Sequence, residues 1–239
     1  MLVLDASAYA VPADLDARWA AVAEAVAARS PVPVPFGPDD LRELASNPVV
    51  ARRYDTPSGA YATGAMFVDA PVTSVWITLQ DAPHDPPSRV SIERLTAPTG
   101  VRRVHMTLDL PYPLADRQWV SDVTTNRALY DATGGVVWQR TWVKGDPALA
   151  TNADPDVVWI AENRGAWTMI DCGAEGTLVL FSVRSVLGGM LPESITNTFA
   201  LSTLRTAMRG LADRAHAIPE HYAAGHEVIS TPTGHAIPY

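Results

Sequence analysis

Four histidines crowd the end of the chain: His216, His221, His226 and His235. Metal-binding histidines on one helix face stand four apart, as in HExxH. His216 and His221 are five apart. Glu220 and Glu227 are near, but no acidic pair completes a site, so the cluster is read as a solvated tail and no metal is expected. Ser185, Ser194 and Ser202 lack the flanking glycines of a nucleophile elbow. Cys172, the single cysteine, sits at the end of an expected strand with no Cys/His pairing, which marks a buried structural thiol rather than a nucleophile. Gly188-Gly189 precedes a helix and could cradle an anion. Pro192 and Glu193 oppose that by removing a donor and adding negative charge. No P-loop or dinucleotide glycine pattern is present, and no cofactor is expected. The chain reads as noncatalytic.

What remains is apolar. Val104, Met106 and Leu108 alternate with Arg103, His105, Thr107 and Asp109, so the first set turns inward. Trp119, Ser121 and Val123 repeat the pattern on the next strand. Near the C-terminus Asn197, Leu201, Leu204, Met208, Leu211 and Ala215 form one helical stripe. Asn197, an amide on an apolar stripe, needs a partner: a backbone group near the glycine loop or a ligand head group. Leu191, Ile195 and Phe199 form a second stripe, suited to a pocket mouth or to transient membrane contact.

These rows must be positioned by a globular chain. The 239 residues are 47% hydrophobic and 18% charged, a composition that builds a core. The net charge of −8 argues against generic binding to nucleic acid or anionic membranes. One cysteine excludes an intrachain disulfide. Lys144 is the only lysine, and the Ala, Pro and Val bias suggests a GC-rich, bacterial genome. The first residues lack the basic start of a secretory signal, and no run is long enough to span a bilayer. The expected location is cytoplasmic.

Three segments are expected: a helical preface (residues 1–48), a main domain (49–218) and a loose tail (219–239). A helix ends near Arg29, before the proline-rich Ser30–Pro38 stretch. Strands are expected at Val49–Tyr54 and Ala60–Asp69, then a helix over Pro71–Leu79. A run of strands follows: Arg89–Leu95, Val101–Leu110, Gln118–Asn126, Val136–Lys144, Val157–Glu162, Ala166–Asp171 and Thr177–Val186. Gly134-Gly135 and Asn163-Arg164-Gly165 read as tight connections. The last helix runs from Leu191-Pro192-Glu193 to about His216, with Pro219 as its stop. Strands without interleaved helices predict an antiparallel sheet. The fold class is therefore α+β: a curved antiparallel sheet around a long C-terminal helix, burying one sheet face.

VDAPVTSVWITLQD (68–81), PYPLADRQWVSDV (111–123) and GGMLPESITNTFALSTLRTAMRGL (188–211) resemble, in order and spacing, segments of the START (StAR-related lipid-transfer) domain, part of the helix-grip superfamily. In the second segment Gln118 and Trp119 stand where the family has Asp and Phe. The resemblance implies one hydrophobic guest (a lipid, fatty acid or sterol-like molecule) in an internal cavity, and carriage or transfer of it. The ligand-binding residues expected are Val104, Met106, Leu108, Trp119, Val123, Asn197, Phe199, Leu201, Leu204 and Met208. An aromatase/cyclase of the same superfamily and a ligand-sensing module are the alternatives. Sterol-binding members resemble one another in a buried acid and an Arg; gapless counting puts Val104 and Val123 there, which speaks against an internal ion pair.

Overall fold

The computed structural model describes residues 11–80, 90–110, 112, 114–188, 193–221 and 228–237. It contains α1 (Leu15–Arg29), α2 (Pro38–Glu43), β1 (Val50–Thr56), β2 (Gly59–Val68), α3 (Val72–Thr78), β3 (Val90–Leu95), β4 (Arg102–Leu108), β5 (Arg117–Thr125), α4 (Arg127–Ala132), β6 (Val137–Lys144), β7 (Val158–Trp159), β8 (Glu162–Asp171), β9 (Thr177–Val186) and α5 (Glu193–His221). The strands make one sheet in the order β1-β2-β9-β8-β6-β5-β4-β3. Every ladder along that path is antiparallel, and β7 alone pairs in parallel, with β5. The α+β class with a long C-terminal helix is as the sequence predicts.

The sheet is buried on both faces, not one. Ala51, Met66, Val68, Trp138, Met169 and Val179 point to the inner face, against α3 and the stripe Leu204, Met208, Leu211, Ala215 and Ile218 of α5. Val50, Ala65, Phe67, Val137, Ile170, Leu178 and Leu180 point outward. They are covered by Leu15, Trp19, Val22 and Val26 of α1 with Leu41 and Leu44. That is why Leu178–Phe181 reads as an unbroken apolar run instead of alternating. Trp19 donates through Nε1 to the Phe36 carbonyl at 2.8 Å, fixing the proline-rich stretch after α1. Arg18 ties α1 to the sheet: it bonds Asp14 at 2.9 Å, the Cys172 carbonyl at 3.0 Å, and Glu175. The Arg18 hydrogen bond holds the Asp14 carboxyl below its ordinary range.

Several local expectations are corrected. Asn163-Arg164-Gly165 is no turn but the start of the ten-residue strand β8. Its glycine is there for packing: a Cβ on Gly165 would lie 2.3 Å from Trp142 Cζ2 and 2.5 Å from the Ser182 carbonyl oxygen. Of the expected strand Val157–Glu162 only Val158–Trp159 pairs with β5. α4 was not anticipated; Asn126 caps it, accepting from Leu129 N at 3.1 Å. Gly134 and Gly135 then turn the chain into β6 with φ of 60° and 89°. α5 continues through Pro219 to His221. The proline falls in its last turn, and Ile218, buried in the core, anchors that end.

The C-terminal segment is not loose where it is described. Ile229 and Ile237 are buried in the inner core. Ser230 bridges to Ala236, and the Ser230 carbonyl accepts from Trp76 Nε1 at 2.8 Å. Among the described residues no helix is long and apolar enough to cross a membrane.

Gly165→Val should destabilise the protein by about 2–3 kcal/mol, because the nearest obstacle includes backbone that cannot yield. Urea unfolding of the variant beside the wild type checks this; an unchanged midpoint would show that Trp142 and β9 give way freely.

Candidate functional site

Among the described residues α5 packs closely on β1 and β2, at one edge of the sheet. Gly64 on β2 lets it approach: a Cβ there would be 2.5 Å from Met208 Sδ and 3.2 Å from Leu204 Cδ2. Beyond this contact a pocket of about 250 Å³ opens between sheet and helix. Ala62 on β2, Phe181 and Val183 on β9, and Leu201, Leu204 and Ala207 on α5 line its sides. Val90, Leu108, Trp119 and Leu187 line it too. Trp119 and Leu108 are buried with Ile160 in a small cluster flanked by Met106, Leu110 and Leu187. Phe181 is braced by Trp167, with ring centroids 4.3 Å apart, and by Trp142 at 5.7 Å. This wall is apolar and pre-formed, as small-molecule sites usually are.

Of the residues expected at the site, the structure brings Leu108, Trp119, Leu201 and Leu204 to the pocket. Met106 stands opposite Trp119 on the neighbouring strand and packs against its cluster. Met208 is fully buried beneath Gly64 in the core. Val104 and Val123 are buried but do not line the pocket. Asn197 and Phe199 lie on the first turns of α5, outside the residues whose side chains are described.

Arg53, Asn163, Phe181 and Ser185 are among the lining residues that sequence reasoning missed. Phe181, Val183 and Ser185 share a face by alternation, which was a usable signal. Asn163 was hidden by its reading as a turn. It is buried, and its Oδ1 accepts from Trp142 Nε1 at 2.6 Å. Its Nδ2 reaches Ser185 Oγ at 3.4 Å across the β8–β9 pair.

Arg117, from the proline-rich motif, is 3% exposed. It donates to the carbonyls of Leu187 at 2.8 Å, Gly188 at 3.2 Å, Asp116 at 3.2 Å, and Ala115. Its buried charge is thus met by backbone dipoles. In return it fixes the exit of β9, where Leu187 borders the pocket and Gly188 takes a φ of 67°.

The chemically suggestive groups lie elsewhere. His105 is on the opposite face of the sheet, as alternation requires. It stacks on Trp159 at 5.8 Å and contacts Gln118 Oε1 at 3.1 Å. Gln118 itself holds the Asp154 and Val157 carbonyls at 2.6 and 3.0 Å. Arg140 donates to the Leu79 carbonyl at the end of α3. Burial in the outer core pushes the Cys172 thiol up from its ordinary value, so it stays protonated at neutral pH. His216 Nε2 lies 2.7 Å from the Asp69 carbonyl, and His235 Nδ1 lies 2.7 Å from Thr233 Oγ1. Among the described residues no Asp, Glu, His or Lys lines the pocket.

No protein-family model matches the sequence, and no curated protein matches it significantly. Solved structures do match. A StAR-related lipid transfer protein fragment from Xanthomonas axonopodis superposes with a TM-score of 0.60 at 19% identity, over 71% of this chain and 94% of that one. Human StAR-related lipid transfer protein 5 gives 0.63 at 13% identity, over 86% and 97%. Human STARD10 gives 0.59 at 15%, over 82% and 86%. At these identities the likeness establishes the fold. It is the START helix-grip fold.

Arg117→Met should lower stability by about 2–3 kcal/mol, since charge-assisted bonds are lost and buried carbonyls are left without donors. Urea unfolding measures it. A loss below about 0.5 kcal/mol would mean that the β9 exit does not depend on this side chain.

Proposed function

We propose that the protein is a noncatalytic carrier of a hydrophobic small molecule, held between the inner face of the sheet and α5. The pocket of about 250 Å³, walled by Leu108, Trp119, Phe181, Leu201 and Leu204, is the observation that carries this reading. An apolar cavity of about 150 Å³ already takes up benzene. A guest that buries about 150 Å² of apolar surface gains roughly 4 kcal/mol at ~25 cal/mol per Å², with no ion pair required. At about 250 Å³ the pocket is larger than that benzene-binding cavity, and a single short chain or a small ring compound is the guest proposed for it.

The carrier reading is favoured over catalysis by what faces the pocket. Proton transfer needs a titratable group within hydrogen-bond reach of the guest. Arg53, on the wall itself, is paired with Asp55, His105 faces the other side of the sheet beneath Trp159, and Arg140 is held by the end of α3. The printed names of the lipid-transfer proteins with this fold support the same reading by analogy. Storage, transfer between membranes, and sensing all follow from one bound guest; transfer is the form proposed, with brief membrane contact to load it.

Leu204→Trp tests the site. The indole would occupy space meant for the guest, so binding of a simple apolar probe, ethylbenzene, should fall at least tenfold. Stability of the delipidated protein should stay within roughly 1 kcal/mol of wild type, since added apolar burial offsets lost fit. Delipidation matters because a bound guest raises apparent stability. If the variant melts far lower and its folded fraction binds ethylbenzene normally, the core contacts of Leu204 decide its effect and the guest does not sit in this pocket.

A further inference from the structure

Several polar groups on the pocket wall are presented as donors. Trp142 donates its indole N–H to Asn163 Oδ1 at 2.6 Å. An indole nitrogen can only donate, so this bond fixes which way the amide lies. The Asn163 oxygen is consumed, and its NH₂ is turned toward Ser185. The Nδ2–Oγ distance of 3.4 Å is long for an N–H···O bond. Two amide hydrogens therefore have one weak acceptor between them among the described residues. Ser185, in accepting from the amide, keeps its own hydrogen to offer. Asn163 is 8% exposed, so water serves it poorly. The third polar neighbour on this wall is Arg53, whose guanidinium pairs with Asp55 at 2.9 Å. Trp119 adds a fourth donor: its buried Nε1 has no partner among the described residues.

Among the described residues no carboxylate lines this pocket, and its amide oxygen is taken. The hydroxyls of Ser185 and Thr203 can accept from a guest, but only an acceptor meets the under-served amide hydrogens. Leaving a buried donor unmet costs free energy, and meeting it is favourable. We infer that the guest is a single-chain amphiphile whose head is a hydrogen-bond acceptor, a carboxylate or a carbonyl, seated on Asn163 Nδ2 and Ser185 Oγ. Amines and other donor-only heads bind more weakly, since they leave the amide hydrogens unmet. The inference rests on the carrier reading and adds the chemistry of the head group to it. The Trp142–Asn163–Ser185 relay runs from β6 through β8 to β9, so three hydrogen-bonded strands hold the donors in place.

Calorimetry on delipidated protein with four probes tests it: octanoate, methyl octanoate, octylamine and ethylbenzene. Octanoate and methyl octanoate should bind at least tenfold more tightly than octylamine. Asn163→Leu should weaken both acceptor-headed probes about tenfold and leave ethylbenzene within twofold. Because that change also strands the Trp142 N–H, Ser185→Ala is the milder companion, with an expected loss of about threefold for the same two probes only. Asn163→Asp should reverse the preference, repelling octanoate and admitting octylamine. Equal binding of octanoate and octylamine by the wild type, or acceptor-headed affinities untouched in both Asn163→Leu and Ser185→Ala, overturns the head-group assignment; ethylbenzene binding retained alongside leaves the carrier reading standing. Failure of all four probes to bind the wild type overturns both.

Discussion

The structure depends on where α5 is allowed to touch the sheet. A 29-residue helix could lie flat across the inner face and fill it. It is drawn instead to one side, where Gly64 removes the side chain that would hold it off and Met208 and Leu204 enter the space. α3 completes that grip: Val72, Val75, Trp76 and Ile77 join the same core, and Trp76 packs edge-on to Trp138 at 5.5 Å. The helix is therefore pinned along one side and leaves a pocket on the other. Close packing is the rule for interiors, so a pocket survives only if its walls are stiff. Phe181 between two tryptophans, and Arg117 holding the Leu187 carbonyl, supply that stiffness.

The outer face has a different task. α1 and α2 cover it, and Arg18 and Trp19 lock that cover down through bonds to the Cys172 and Phe36 carbonyls. At the far edge of the sheet the cover is polar. There Gln118 donates to the Asp154 and Val157 carbonyls before β7, His105 contacts Gln118 Oε1, and Glu93 on β3 accepts from Asn152 at 2.7 Å. Gln118 is thus satisfied by fixed backbone partners and holds the fold, whereas Asn163 and Trp119 on the pocket side are under-served.

Much of this was legible in the sequence. The α5 stripe and the inward row on β4 and β5 came from periodicity, because the side-chain period of each element is fixed by its backbone, and the antiparallel sheet came from strands without interleaved helices. The turn at Gly134-Gly135 was legible because consecutive glycines free the chain for positive φ. Other features were not. The outer face was missed because α1 reads as a modest amphipathic helix, with nothing local to say which surface it covers. Gly165 looked like a turn residue, and only the nearness of Trp142, far away in sequence, explains it. Asn163 was lost with it. The C-terminal segment looked loose because the burial of Ile229 and Ile237 depends on α3, which lies more than a hundred residues earlier. Val104, Val123 and Met208 face inward as alternation and helical period require. Their facing alone does not tell a pocket wall from packed core.

The central claim is that a guest occupies the space between the sheet and α5. Native mass spectrometry of freshly purified protein, before and after organic extraction, addresses it directly. The account predicts a discrete added mass on the native protein, lost on extraction, whose extracted compound is a single-chain molecule small enough for the pocket and restores the mass when added back. A bare mass throughout, with no uptake of any apolar compound by the extracted protein, would contradict it.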